Sequence, residues 1–197
     1  MITDFSAIFR GLIGSKTFIP LREELAATHR YLSLLGARYE DQVTIRYDIT
    51  RDVLQYGIIR NVFQPLIENY FQYGFTTANQ DNEILISGKI QDNGMMELSV
   101  EDNGTGMSES DIEALRLKLQ QPAQESRESY GLKNLNQRLK LFYGDECGLR
   151  VEDNQGRGLK VTILALAMTC EEYENSQAFP STLKEEDFHE NNHCNPD

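Results

Sequence analysis

The chain has 197 residues, 40% of them hydrophobic and 25% charged, which suits one ordinary globular core with attachments. Its formal net charge is −12, and eight acids against the single cation Lys184 concentrate −7 of that after residue 170, so no basic stripe is available to grip nucleic-acid phosphates. Cys147, Cys170 and Cys194 form neither a CxxC pair nor a disulfide framework, and no apolar run is long enough for a membrane span or arranged as a signal peptide.

Along the chain, Ile2, Phe5, Phe9 and Leu12 recur at helical spacing over residues 2–14, with Gly11 and Gly14 weakening the end. Pro20 then suits a first helical turn, and Leu21, Leu25, Thr28, Leu32, Leu35 and Tyr39 follow alternating steps of four and three. That seam predicts a helical hairpin or dimer element, the alternative being a helix packed on its own domain. From Val43 the period changes to two, and Val43, Ile45, Tyr47 and Ile49 predict a strand. Ile58 to Tyr73 returns to helical spacing through Ile59, Val62, Phe63, Leu66, Ile67 and Phe71, with Pro65 expected to kink or delay the helix.

Two strands, 83–91 and 95–101, are predicted to join through Asp92-Asn93-Gly94 as a hairpin. Ser108 with Asp111 resembles a weakened capping box that opens a helix ending near Leu119, and residues 120–129 read as a polar, mobile loop. A helix over 132–142 and strands over 148–152 and 159–167, turning at Gln155-Gly156, complete the pattern before an acidic tail expected to be disordered. The predicted class is α+β, a two-layer sandwich with a mixed, mostly antiparallel sheet covered on one face by helices. The division follows as a helical linker over 1–40, the main domain over 41–168 and the tail over 169–197.

Three constellations carry candidate chemistry. Asp102-Asn103-Gly104-Thr105-Gly106-Met107 ends a strand, where the glycines permit close backbone approach and the Asp102 carboxylate can accept from an exocyclic amine such as that of adenine. Glu68, Asn69, Gln72 and Tyr73 share one polar edge of an apolar helix, and an Asn amide oxygen is a hard ligand suited to Mg²⁺. Ser129-Tyr130-Gly131-Leu132-Lys133-Asn134 opens a helix whose free N–H groups suit a phosphate. Taken singly these are respectively a turn, a solvated edge and a helix start.

In this order and spacing they resemble the N, G1 and G2 boxes of the GHKL (Bergerat) ATPase and kinase superfamily. The similarity is closer to the LytS/YehU-like sensor histidine kinases, through the helix of Leu21 to Arg38, the QPLIEN of Gln64 to Asn69, the DNGTGM above, YGLKNLNQRLKLFYG from Tyr130 and GRGLKVTI from Gly156. The resemblance implies ATP and Mg²⁺ as cofactors, with Asn69 on the metal, Asp102 on the adenine amine, and Gly104, Gly106 and Gly131 hinging a lid over residues 107–130. Met107, Tyr130, Leu132 and Lys133 would border the nucleotide. Tyr73 stands where a ring or cation commonly lies near it, and Glu68 would orient Asn69 or the incoming imidazole. Three departures weaken the pattern: Ser129 where Gly is usual, Leu159 where a Thr supports the Asp, and no aromatic F box.

ATP-hydrolysing relatives place a glutamate four residues before the metal-binding Asn, and here that position is Pro65, which cannot act as a base. A histidine kinase is therefore expected, transferring the γ-phosphate to a histidine on a dimerisation helix for relay to a response regulator. A degenerate nucleotide-binding or scaffolding module is the alternative. His29 lacks the surroundings of an acceptor, which is expected before Met1, and His189 and His193 beside Cys194 read as tail residues rather than metal ligands. The chain is thus expected to be the cytoplasmic portion of a membrane-bound sensor, homodimeric at full length and partnered by its own dimerisation helices, without nucleic-acid or membrane contact.

Overall fold

The computed structural model describes residues 17–39, 42–121 and 130–175. The expected helix over 2–14, Ser129 with most of the polar loop, and His189, His193 and Cys194 lie outside the described residues.

The frame is a five-stranded mixed sheet: β2 (Val43–Ile49), β4 (Asn82–Ile90), β5 (Met95–Asp102), β7 (Leu159–Leu166) and β6 (Gly148–Asp153), in that spatial order. β2 runs parallel to β4, and every other pairing is antiparallel. Period-two patterning sets the inner face, where Ile84 and Ile86, Met96, Leu98 and Val100, and Val161, Ile163 and Ala165 are buried. Register aligns them, with Ile86 opposite Val100 and Leu98 opposite Ile163. On the other face, Arg46 pairs with Glu83 at 3.0 Å and Lys160 with Glu101 at 2.8 Å. The β4–β5 turn follows the expected hairpin chemistry, with Gly94 at φ 77 and Met95 N–H donating to Asn93 Oδ1 at 3.0 Å.

Helices cover the inner face. α1 (Leu21–Arg38) leads in, α2 (Gln64–Asn69) continues into a π-turn (Tyr70–Gly74), and α3 (Glu109–Gln120) and α4 (Tyr130–Tyr143) complete the layer. Ile112 and Leu119 of α3, and Leu132, Leu135 and Leu139 of α4, join one continuous core with the sheet. Ser108 caps α3, its Oγ accepting from Asp111 N–H at 3.2 Å. The predicted α+β sandwich is the fold observed.

Several local expectations are corrected. Ile58 and Ile59 do not start a helix, because they form β3 (Gly57–Ile59), an antiparallel pair with β1 (Phe18–Pro20). The helix begins only at Gln64, and Pro65 sits in its first turn, where a missing N–H leaves no bond unmade, so it launches α2 rather than kinking it. Along the seam of α1, Leu21, Thr28 and Leu32 are buried, Leu25 and Leu35 pack partly buried on the same core, and Tyr39 stacks on Phe71 with ring centroids 4.5 Å apart. That face of α1 therefore packs on the core of its own domain.

The acidic segment opens with a helix, α5 (Cys170–Asn175), rather than disorder. A reciprocal capping box starts it: Glu172 Oε2 accepts from Thr169 N–H at 2.7 Å, and Thr169 Oγ accepts from Glu172 N–H at 3.2 Å. Tyr173 is buried and stacks on Phe18 at 4.7 Å.

Candidate functional site

Asp102 ends β5 on the core face and is 7% exposed. Burial raises its carboxyl above the ordinary range, while the amide N–H groups of Gly104 and Leu159 pull it back down. The Gly104 contact is 2.9 Å. Asn154 Nδ2 donates to the Asp102 carbonyl at 2.8 Å, and Asn103 Oδ1 takes the Glu83 N–H at 2.8 Å, so the loop after β5 is anchored on both sides. Tyr70 is buried and gives its hydroxyl to Asn82 at 3.2 Å; burial first, and then the nearby Asp102 charge, push its phenol well up.

The π-turn brings the end of α2 onto this loop. Thr105 N–H donates to the Gly74 carbonyl at 3.1 Å, and Thr105 Oγ donates to the Tyr73 carbonyl at 2.9 Å. The approach is close enough that a Cβ on Gly104 would stand 2.4 Å from the Gly74 carbonyl oxygen. From the other side Gly158, at φ +83, presses on Asp102 so tightly that a Cβ there would lie 1.9 Å from the Asp102 carbonyl oxygen. Widened π-turns recur at functional sites. Here one sets Asn69, the last residue of α2, directly before a seam of backbone-to-backbone contacts around a buried carboxylate.

Of the predicted residues, the structure draws the elements carrying Asn69, Asp102, Gly104 and Gly106 together, and a Cβ on Gly131 at the start of α4 would lie 3.8 Å from Pro65 in the first turn of α2. Asn69 is half-buried. Tyr73 and Met107 are exposed, and Lys133 is half-buried on α4. Leu132 is a core residue with its side chain packed inward. Tyr130 begins α4, and its side chain lies outside the described residues. Glu68 Oε1 accepts from Gln64 Nε2, one turn earlier on α2, at 2.8 Å and from the Tyr31 hydroxyl of α1 at 3.3 Å.

Sequence reasoning missed Gly74, Gly158 and Asn154 as parts of the site. A glycine beside a patterned element is visible in the sequence, but which glycine bears on a neighbour is decided by chain pairing. At Leu159, where a Thr was expected, the side chain is buried and only the backbone amide supports Asp102. Among the described residues no cluster of three or more His, Cys, Asp or Glu could hold a metal unaided. A lone amide oxygen such as that of Asn69 fits Mg²⁺, which takes its remaining ligands from phosphate and water.

Residues 56–169 match the family described as histidine kinase-, DNA gyrase B- and HSP90-like ATPases. The sensor protein LytS of Staphylococcus saprophyticus is 31% identical over 98% of this chain and 30% of its own length. The sensor histidine kinase/phosphatase LytS of Staphylococcus aureus is 33% identical over 77% of this chain and 26% of its own length. The chain thus spans less than a third of either relative. Among solved structures, the mycobacterial sensor histidine kinase MprB superposes with a TM-score of 0.54 at 15% identity, over 77% of this chain and 97% of that one. The catalytic domain of histidine kinase ThkA gives 0.54 at 14%, over 78% and 99%.

Proposed function

This chain belongs to the histidine kinase-, DNA gyrase B- and HSP90-like ATPase family, and from that premise we propose that it is the ATP-binding catalytic domain of a sensor histidine kinase. The observation that carries the reading is the convergence of the end of α2, bearing Asn69, on the buried Asp102 through the Gly74, Gly104 and Gly158 contacts. Asp102 accepts a hydrogen bond from the adenine amine, an arrangement for which its two backbone donors keep the carboxylate oriented. Asn69 offers its amide oxygen to Mg²⁺, which when bound neutralises charge on the phosphates. The start of α4 at Tyr130–Gly131, beside Pro65, offers helix-start N–H groups to the phosphate tail. Pro65, four residues before Asn69, puts no base at the position where ATP-hydrolysing relatives carry a glutamate, which favours phosphotransfer over hydrolysis.

The acceptor is a histidine on a dimerisation helix of the same protein or its dimer partner, and the phosphate passes on to a response regulator. Similarity to sensor proteins supports a cytoplasmic position for this portion, and no described helix is long and apolar enough to cross a membrane.

Calorimetric titration with Mg·ATP tests the reading. Binding is expected with the wild-type chain and a loss of about tenfold or more with Asn69→Ala, the worth of one charge-assisted ligand contact. A longer polypeptide that includes the acceptor helix should form acid-labile phosphate, and Asn69→Ala should abolish it. No binding at millimolar nucleotide refutes the enzyme reading and favours the second, a scaffolding module of the same fold, to which the missing hydroxyl at Leu159 points.

A further inference from the structure

We propose that Glu24 is a positioning residue for the nucleotide site: from α1 it fixes the turn that launches α2 and thereby sets where Asn69 stands. The inference rests on the reading of Asn69 as the metal-facing group.

Glu24 is 3% exposed, deep between α1 and the turn at residues 60–63. Its Oε1 accepts from Val62 N–H at 2.9 Å and its Oε2 from Asn61 N–H at 3.1 Å, and the Phe63 amide adds a third contact. These N–H groups precede the first turn of α2 and have no acceptor within it. From the opposite side Arg138 of α4, whose charge is electrostatically coupled to Glu24, donates to the Arg60 carbonyl at 2.6 Å.

The turn itself is costly. Asn61 is held at φ 58, a left-handed conformation for a residue with a side chain, and Arg60 Nε and Nη1 are buried with no acceptor among the described residues. Features of that kind persist only where the surroundings over-determine them. Glu24 and Arg138 are those surroundings, one from the helix that enters the domain and one from the helix that opens with Gly131. A second tie lies further along α2, where the Tyr31 hydroxyl of α1 donates to Glu68, the residue before Asn69. α1 therefore holds α2 at its launch and again at its last turn. Neither contact touches Asp102, which is carried by β5 and held by Gly104, Leu159 and Asn154.

That separation makes the role testable in the full chain by calorimetry with two probes, Mg·ATP and metal-free ADP in excess chelator. Glu24→Ala should weaken Mg·ATP binding about tenfold, the population shift expected when several turn N–H groups lose their acceptor, while metal-free ADP stays within about twofold. Glu24→Gln, which keeps one acceptor oxygen, should recover part of the loss. Tyr31→Phe should show a smaller, metal-selective loss of about twofold, and together with Glu24→Gln it carries the test should Glu24→Ala fail to fold by circular dichroism. Unchanged Mg·ATP affinity in the folded variants, or equal weakening of both probes, overturns the positioning role. A wild-type chain that binds neither probe refutes the parent function and this inference with it, whereas wild-type binding with unaffected variants refutes this inference alone.

Discussion

Replacing Gly158 by Ala probes the tightest contact of the site, and Gly156 provides an internal control two residues away. Both glycines have nearly the same left-handed backbone, φ +83 at Gly158 and +80 at Gly156. An added Cβ at Gly156 meets nothing within 4 Å, while at Gly158 it would stand 1.9 Å from the Asp102 carbonyl oxygen, 2.5 Å from its carbon and 2.6 Å from Oδ1, all inside the 3.0 Å that real Cβ atoms respect. The conformational cost, about 1–2 kcal/mol, applies to both. Only Gly158→Ala adds the overpacking cost of about 1–3 kcal/mol, because the two nearest obstructing atoms are backbone at the end of a central strand and cannot rotate away. At roughly 2–4 °C per kcal/mol for a chain of this size, the expected loss of Tm is about 2–8 °C for Gly156→Ala and about 4–20 °C for Gly158→Ala. The displaced atoms belong to Asp102, so Gly158→Ala should also lose adenine-nucleotide affinity and Gly156→Ala should not. Thermal melts followed by circular dichroism and a calorimetric titration read both quantities. Equal melting and equal affinity for the two variants would refute the claim that Gly158 shapes the surroundings of Asp102.

Asn136 is buried and joins three elements, its Nδ2 donating to the Leu119 carbonyl of α3 at 2.8 Å and its Oδ1 accepting from Leu149 N–H of β6 at 2.7 Å. Asn136→Ala orphans both backbone groups and should cost about 2–4 kcal/mol in urea denaturation; a loss under about 1 kcal/mol contradicts the assignment. Asp102→Asn tests the electrostatics of burial. Because the folded carboxyl is raised, its contribution to stability is fully present below the unfolded value near 4 and is lost as the pH rises through the folded value. The Asn variant lacks that term, so its unfolding free energy should decline less than that of the wild type between about pH 4 and pH 7, and a steeper decline refutes the raised carboxyl.

Local chemistry was legible from residue order. The alternation in β4, β5 and β7, the Asn93-Gly94 turn and the Ser108 cap are each decided by neighbours within a few residues, and the structure reproduces them. Asn69, Asp102 and Gly131 were marked in the same way, as a polar position on an apolar helix, a carboxylate at a strand end and a glycine at a helix start. Only the tertiary structure decided the rest. Ile58 and Ile59 satisfy a helical stripe and a strand equally well, and Phe18 and Ile19, some forty residues earlier in the chain, select the strand. The seam of α1 is equally suited to a partner helix and to its own core, and the core takes it because Leu21 and Leu32 find Ile58, Ile59 and Phe63 within the same buried cluster. Tyr173 leaves an acidic, polar segment to stack on Phe18. Glu24 reads as one more surface acid of a helix until the turn at Asn61 and Val62 closes over it. Periodicity specifies which side of an element is apolar; burial, backbone collision and the partner of a charged group depend on chain segments far apart in sequence, and those meet only when the chain is folded.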